Sequence, residues 1–218
     1  MGIQLYAGSG SPFVWRVWLA LEHKALPYEL KLLSFAGGDL SKPEFAALNP
    51  RKKVPTIVDD GFALYESAAI VEYLEEAHPR SGGALFPADI KARAVARRRI
   101  REIDEYVAQR MERLLDEVLF KPQAEWNADA IAKSRDKLVA ELGQWDQALT
   151  GDYFDAGGVG AVDFSLYPLL ALTLRMEDKK KPDLAIRAAL GSKLKAWMQR
   201  IEKLPFFDKT YPPHWKAG

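Results

Sequence analysis

The hydrophobic periodicity of the chain changes at about residue 78, and this change limits the possible folds more than any other feature. Before it, short strand-like runs alternate with helix-like runs, whereas after it apolar residues recur only at helical spacing. The segment His78–Pro87 (HPRSGGALFP) contains two prolines and two glycines and is the best candidate for a linker. We therefore predict two domains, residues 1–78 and 89–218, joined by residues 79–88.

The first domain is predicted to be an α/β layer. Strands are expected at Ile3–Tyr6 and Tyr28–Leu33, with a helix at Pro12–Lys24 between them. This strand pair is expected to be parallel, because parallel strands need a crossover connection such as this helix. The remaining predicted elements are a helix at Lys42–Leu48, a hairpin in which Thr56–Val58 and Phe62–Leu64 flank Asp59-Asp60-Gly61, and a helix at Ser67–His78.

The second domain is predicted to be entirely helical. A long helix from Asp89 to about Phe120 carries one apolar stripe, which consists of Ile100, Ile103, Val107, Met111, Leu114 and Val118. Further helices are expected at Ala128–Leu149, Asp163–Met176, Pro182–Ala189 and Ser192–Leu204. Pro168 should kink or interrupt the third of these segments, since proline removes a helix hydrogen bond. The tail PFFDKTYPPHWKAG is expected to pack as irregular chain.

Composition and charge exclude several classes of protein. The chain has 31 basic and 30 acidic residues, whereas proteins that work by neutralising phosphates carry a larger basic excess. The absence of cysteine excludes disulfides, a protein thiol nucleophile and cysteine-ligated zinc, and the three histidines are far apart in sequence, so no metal is expected. No targeting segment and no run of about 18 apolar residues is present. We therefore expect a cytoplasmic protein that binds neither nucleic acid nor membrane.

Three local motifs supply candidate functional groups. Ser11-Pro12 opens the first helix, where a serine hydroxyl either caps its own helix or donates to a bound anion. Val54-Pro55 precedes a strand, either as an ordinary trans proline or as a cis bond that exposes the Val54 backbone to a ligand. Glu66-Ser67 starts the next helix, where free N–H groups suit a carboxylate and the acid suits an ammonium group; a capped helix beside a solvated glutamate is the alternative.

The order of these motifs resembles that of the glutathione transferase superfamily. The segments that carry the resemblance are SPFVWRVWLALEHKALPYE, NPRKKVPTIVDDG and ALYESAAIVEYLEEAHP, which cover most of residues 1–79. The spellings SPF and NPRKKVP look most like the serine-type classes, tau-like or zeta-like. The resemblance implies an α/β thioredoxin-like domain followed by an all-helical domain, with glutathione as co-substrate, no metal, and a homodimeric assembly.

At the reactive end of glutathione, the resemblance implies roles for three residues. Ser11 matches the serine whose hydroxyl hydrogen-bonds the glutathione sulfur. Val54 matches the residue whose backbone pairs with the cysteinyl part, and Pro55 matches the cis-proline after it. Tyr6 lies one residue before the position of the catalytic tyrosine in the beta-like pattern, so we expect it to belong to the first strand instead.

At the two charged ends of glutathione, the resemblance implies further contacts. Glu66 and Ser67 match the pair that holds the γ-glutamyl end. Lys53 matches a basic residue near the glycyl carboxylate, and Lys42 is a weaker candidate for the same carboxylate because SFAGGDLSK aligns poorly. Arg16 follows Ser11 by about one helical turn and could add positive potential, although a salt-bridged or solvated arginine is the simpler expectation.

The implied reaction is attack of the bound thiolate on a hydrophobic electrophile, as in detoxification. The electrophile pocket is expected between the domains, and its candidate lining residues are Phe13, Phe35, Tyr106, Arg110, Met111 and Trp215. Two alternatives on the same fold stay open. One is a glutathione-dependent isomerase of the zeta-like kind, although SPFVWRV lacks the cysteine that accompanies the serine there. The other is a non-catalytic carrier of hydrophobic ligands or a regulatory protein.

Overall fold

A four-stranded sheet organises the first part of the chain in the computed structural model, which describes residues 2–216. Its strands are β1 (Ile3–Ala7), β2 (Tyr28–Leu32), β3 (Thr56–Asp59) and β4 (Phe62–Tyr65), in the spatial order β2-β1-β3-β4. The predicted parallel pair is confirmed for β1 and β2, and β3 runs antiparallel to both β1 and β4. The predicted hairpin is also confirmed: Asp60 and Gly61 both have positive φ, at 46° and 90°, as a tight Asp-Gly turn requires.

The helices of this part of the chain are α1 (Pro12–His23), α2 (Pro43–Leu48) and α3 (Ser67–Ala77), each within one residue of its predicted ends. α1 and α3 contact each other and bury the apolar side chains of their facing sides. Val17, Leu21, Ile70 and Leu74 are all fully buried. Burial of one such side chain stabilises the folded state by roughly 1.5–3 kcal/mol, so these helices are held firmly beside each other.

The middle of the chain is helical, as predicted. Its helices are α4 (Ile90–Glu102), α5 (Gln109–Val118), α6 (Ala128–Ala148), α7 (Ala161–Lys180), α8 (Ile186–Ala189) and α9 (Ser192–Glu202). A π-helical segment, Ile103–Ala108, joins α4 to α5, so the long predicted helix is continuous but not α-helical throughout. Every residue of its predicted apolar stripe is buried. Within residues 2–216, no helix combines the length and apolar content that crossing a membrane requires.

Two expectations for the helical part are corrected. α7 continues through Pro168, so of the two effects expected of this proline, a kink or an interruption, the interruption is wrong; buried side chains on most sides of α7 hold the helix together there. The tail is not irregular, since it forms α10 (Phe207–Thr210) and a 3-10 turn, Pro213–Trp215.

The chain divides into two compact units at slightly different positions from the predicted domains. The second unit is Pro87–Lys203, and the first comprises the residues before it together with those from Leu204 onward. The predicted helical domain, residues 89–218, includes residues 204–216. They pack in the first unit instead, because the rings of Phe207, Tyr211 and Trp215 surround the indole of Trp15 on α1 at centroid distances of 5.5–5.8 Å.

A buried carboxylate fixes the start of α7. Asp163 is fully buried and accepts hydrogen bonds from the backbone N–H groups of Phe154 and Gly160 and from the indole N–H of Trp197. Only half of a capping box exists here, because Gly160 has no side chain to accept a hydrogen bond in return. Burial raises the pKa of Asp163 to about 6, and the three hydrogen bonds offset part of that effect.

The raised pKa of Asp163 predicts a pH-dependent contribution to stability. Because the folded protein binds this proton more tightly than the unfolded chain does, the contribution of Asp163 is largest below about pH 4 and declines as the pH rises to about 6. The stability advantage of the wild type over Asp163→Asn should therefore shrink across this range. Urea unfolding of both proteins at several pH values measures it, and an advantage that grows with pH would contradict this account.

Candidate functional site

Three loops meet at one edge of the sheet. Tyr6 of β1 is paired with Thr56 of β3, and Thr56 is paired with Tyr65 of β4. The end of β1 therefore lies beside the start of β3 and the end of β4. The loops at this edge carry the three motifs singled out in the sequence, namely Ser11, Val54-Pro55 and Glu66-Ser67. All three belong to the first unit.

Ser11 is the N-cap residue of α1, as predicted. Its Oγ accepts a hydrogen bond from the backbone N–H of Val14 at 3.4 Å, and Pro12 is the first helical residue. Capping uses an oxygen lone pair, so the same hydroxyl can still donate its proton to a bound anion. The free N–H groups of the first turn and the helix dipole add positive potential at this point.

Glu66 and Ser67 form the start of α3. Glu66 is the N-cap residue of α3, and Ser67 is its first helical residue. Glu66 is exposed and has φ 72° and ψ 107°, a conformation that non-glycine residues rarely adopt and that costs about 1–3 kcal/mol. Such strained residues concentrate at functional sites.

A buried arginine connects two of the three motifs. The guanidinium of Arg16 on α1 donates a hydrogen bond from Nη1 to the Oγ of Ser67 at 3.1 Å. Arg16 is 1% exposed and Ser67 is 7% exposed. Of the two alternatives expected for Arg16, a salt-bridged or a solvated side chain, the solvated one is therefore wrong. The sequence signal for its burial is its position among apolar residues in FVWRVWL.

The loop before β3 is held by a residue outside the three sequence motifs. Asn49 is buried and donates from Nδ2 to the carbonyl of Lys53 at 2.7 Å and to the Oγ1 of Thr56 at 3.1 Å. The Val54–Pro55 peptide bond is cis, as the resemblance implies. The pairing of β3 begins at Thr56, so the backbone of Val54 lies outside the sheet register. An asparagine before a proline-containing turn was the available signal.

The two lysine candidates differ in their surroundings. Lys53 is exposed beside Val54. Lys42 precedes α2 and forms an ion pair with Asp39, with 2.7 Å between Lys42 Nζ and Asp39 Oδ1. This hydrogen bond raises the pKa of Lys42 and lowers the pKa of Asp39. Lys42 is thus already engaged with a carboxylate, which agrees with its lower rank among the candidates.

Three aromatic candidates for the electrophile pocket lie in the first unit. Phe35 is 53% exposed, and its ring lies against Gly8, where an added Cβ would come within 2.2 Å of the ring. Phe13 is half-buried at the start of α1. Trp215 is buried against Trp15 with a centroid distance of 5.5 Å. Phe13 therefore follows Ser11 in sequence by two residues, and the ring of Phe35 contacts Gly8 in the loop that carries Ser11.

The other three candidates lie in the second unit. Tyr106 and Arg110 line a cavity of about 400 Å³ between the α4–α5 helix and α6. Arg110 forms a 2.9 Å ion pair with Glu141 there. Met111 is 1% exposed in the helical core and does not line this cavity. The assignment of all six residues to one electrophile pocket stays a prediction.

Tyr6 is the remaining candidate near this edge of the sheet. Tyr6 lies within β1, as expected, and its hydroxyl donates to Gln4 Oε1 at 3.3 Å.

Among the described residues, no group of three or more histidine, cysteine or acidic side chains is placed to hold a metal ion. The groups available at the sheet edge are thus hydroxyls, backbone N–H groups, one exposed carboxylate and lysines, which suit a zwitterionic or anionic organic ligand.

The mixed sheet, its flanking helices and the cis-proline before β3 define a thioredoxin-like domain, which is followed here by a helical domain. Family models for the N-terminal and C-terminal domains of glutathione S-transferases match residues 10–77 and 128–200. The chain belongs to the glutathione transferase superfamily, and it has the fold of that superfamily.

Individual relatives agree with this assignment. Glutathione S-transferase A of Pleuronectes platessa is 29% identical over 214 residues, which cover 95% of this chain and 90% of the relative. Maleylacetoacetate isomerase of Rattus norvegicus is 32% identical over 185 residues, which cover 82% and 81%. The crystal structure of a glutathione S-transferase from the Antarctic clam Laternula elliptica matches with a TM-score of 0.81 at 29% identity, over 100% of this chain and 95% of that one.

The contact between Arg16 and Ser67 predicts a coupled loss of stability. Ser67→Ala removes an acceptor from a buried guanidinium, so we expect it to lower the free energy of unfolding by about 1–3 kcal/mol. Arg16→Met alone should also destabilise the fold, but the two changes together should cost clearly less than their sum. Urea unfolding of the four proteins in this cycle measures the coupling, and strict additivity would show that the hydrogen bond contributes nothing.

Proposed function

We propose that the chain conjugates the thiolate of bound glutathione to a hydrophobic electrophile. The observation that carries the proposal is the convergence of Ser11, Val54 and Glu66-Ser67 at one edge of the sheet. Family membership supports the choice of glutathione as the ligand. Each group at this edge corresponds to a different part of that tripeptide.

The proposed role of Ser11 is to stabilise the thiolate form of glutathione. A free thiol has a pKa of about 8.5, so only about 3% is ionised at pH 7. Lowering that pKa by ~2 units requires about 2.7 kcal/mol of preferential stabilisation of the anion. A hydrogen bond to a charged group supplies about 1.5–3 kcal/mol, and a helix N-terminus adds about 0.3–1 kcal/mol. A donated hydrogen bond from Ser11 at the start of α1 is therefore sufficient, and the serine need not ionise.

The remaining groups bind the ends and the middle of the tripeptide. Ser67 and the first N–H groups of α3 receive the γ-glutamyl carboxylate, while the exposed carboxylate of Glu66 receives the neighbouring ammonium group. The backbone of Val54, before the cis-proline Pro55, pairs with the cysteinyl part. Lys53 attracts the glycyl carboxylate, with Lys42 in a secondary role because of its ion pair with Asp39.

The wider proposal covers assembly, location and biological role. We propose a homodimer that acts in the cytoplasm in detoxification and takes a small hydrophobic electrophile. Support for a dimer comes from α4, where the apolar side chains of Ile90 and Val95 are 78% and 38% exposed and would be covered by a partner subunit.

Replacing Ser11 tests the proposed chemistry. In Ser11→Ala, the apparent pKa of the bound glutathione thiol should rise by about 1–2 units, because the donated hydrogen bond is lost. From a bound thiol pKa of about 6.5, this rise lowers the thiolate fraction at pH 7, and with it the rate of conjugation, by about 3- to 25-fold. Titration of the thiolate absorbance, together with turnover of an aryl halide, measures both quantities.

A matched control for this experiment is Ser81→Ala, a change in the loop after α3 and away from the sheet edge. The control should behave as the wild type does in both assays. An unchanged thiol pKa in Ser11→Ala would remove the serine from the mechanism.

A second candidate function is glutathione-dependent cis–trans isomerisation. The 32% identity to the rat maleylacetoacetate isomerase favours it. In such a reaction the thiolate would add to a conjugated double bond, the resulting single bond would rotate, and elimination would return the thiolate, so glutathione would not be consumed. The absence of cysteine from SPFVWRV weighs against it.

One assay separates the two functions. We expect the purified chain to consume glutathione stoichiometrically with an aryl halide and to turn over a cis-enone acid slowly or not at all. Isomerisation of the enone without loss of glutathione would favour the second function. Retention of the chain on immobilised glutathione without either reaction would indicate a carrier or regulatory protein.

A further inference from the structure

The C-terminal 3-10 turn lies against the loop that carries Ser11, and both belong to the first unit. We propose that His214 in this turn is a positioning residue, which holds the loop between β1 and α1 so that the Ser11 hydroxyl points at the glutathione sulfur. This inference rests on the function proposed above. It adds a residue that no motif at the sheet edge includes.

The loop itself has little means of holding one conformation. Its sequence after β1 is Gly8-Ser9-Gly10-Ser11, and its internal backbone contact is the hydrogen bond from Ser11 N–H to the Gly8 carbonyl at 3.2 Å. Gly10 has φ 85°, a conformation that glycine adopts without strain. Glycine-rich backbone has the largest conformational freedom to lose. A loop of this composition therefore needs external contacts to keep Ser11 in place.

His214 supplies two of those external contacts. A hydrogen bond of 2.6 Å joins Ser9 Oγ to His214 Nδ1. The imidazole also lies directly against Gly10, where an added Cβ would come within 2.6 Å of His214 Cε1. The two residues that precede Ser11 are thus both in contact with one side chain. Loss of His214 would free the Ser9 side chain and leave space beside Gly10.

The segment that carries His214 is attached to α1, the helix that Ser11 caps. Trp215 packs edge-to-face on Trp15 of α1 at a centroid distance of 5.5 Å. The indole N–H of Trp15 donates to Thr210 Oγ1 at 2.9 Å, which anchors α10 to the same helix. His214 is therefore fixed relative to α1, and the loop is held between the helix and the turn attached to it.

This arrangement predicts an effect on the chemical step more than on binding. The proposed thiolate hydrogen bond needs the Ser11 hydroxyl within a few tenths of an ångström of its best position, and small displacements of such groups reduce rates steeply. The groups proposed to bind the glutamyl end, Glu66 and Ser67, lie on another loop. A change at His214 should therefore alter the thiol pKa and kcat, while leaving the affinity for glutathione nearly unchanged at a pH below the pKa of the bound thiol, where the thiol is protonated.

The test compares four variants of the full chain with glutathione as the probe. His214→Ala and Ser9→Ala should each raise the apparent pKa of the bound thiol and lower kcat by ~3- to ~10-fold, which is the range expected for one lost hydrogen bond. The double variant should be no worse than the more impaired single variant, because both act through the same contact. His214→Asn, whose amide can reach a position similar to that of Nδ1, should restore most of the loss.

A control variant and a stability measurement complete the design. His78→Asn alters a histidine whose hydrogen bond to Asp59 lies at the hairpin end of β3, away from the loop, and should leave the thiol pKa unchanged. Should His214→Ala fail to fold, Ser9→Ala still tests the same contact, since it removes only a hydroxyl from a partly exposed residue.

The possible outcomes separate this inference from the proposed function. If His214→Ala and Ser9→Ala leave the thiol pKa and kcat unchanged while Ser11→Ala alters them, the positioning role is wrong and the function stands. If His214→Ala only lowers the urea midpoint, His214 is structural and the inference is overturned. If Ser11→Ala also leaves the thiol pKa unchanged, the proposed role of Ser11 is wrong, and the positioning role that depends on it is wrong as well.

Discussion

The hydrogen bond from the buried guanidinium of Arg16 to Ser67 joins the two helix starts on which the proposed chemistry depends. A guanidinium removed from water needs acceptors, so its burial between α1 and α3 restricts how these helices can sit relative to each other. The pairing of β1, β3 and β4 is the second restriction, because β1 and β4 end, and β3 begins, at the same edge of the sheet. The Arg16–Ser67 hydrogen bond and this strand pairing together fix the positions of Ser11 and Ser67 without a bound ligand.

Charge at this edge is arranged for a ligand with more than one charged group. Two helix N-termini provide positive potential, and the exposed Glu66 provides one negative charge beside the second of them. The second unit uses a carboxylate differently. Asp163 is fully buried, its hydrogen-bond donors belong to the protein, and its role is to fix the start of α7. Glu66, the carboxylate proposed to bind the ligand, is exposed and has a strained backbone, whereas Asp163 is buried, has its hydrogen bonds satisfied and has a structural role.

Most of the fold and the three motifs could be predicted from sequence because their signals are local. Proline and serine mark the start of α1, Asp-Gly marks the hairpin, and the apolar stripe of the long helix needs only its own spacing. The features that were missed depend on distant residues. Ser9 and His214 are 205 positions apart, and the packing of the C-terminal segment on Trp15 has no local signature. The burial of Arg16 could not be predicted locally, because its hydrogen-bond partner Ser67 lies on another helix.

A crystal structure of the chain with bound glutathione tests the central claim most directly. The account predicts that the glutathione sulfur lies within about 3.5 Å of Ser11 Oγ, a hydrogen-bond distance for sulfur, while the γ-glutamyl carboxylate contacts the start of α3 at Ser67. A tripeptide whose sulfur lies far from Ser11, or whose glutamyl end leaves Glu66 and Ser67 without contact, would contradict it.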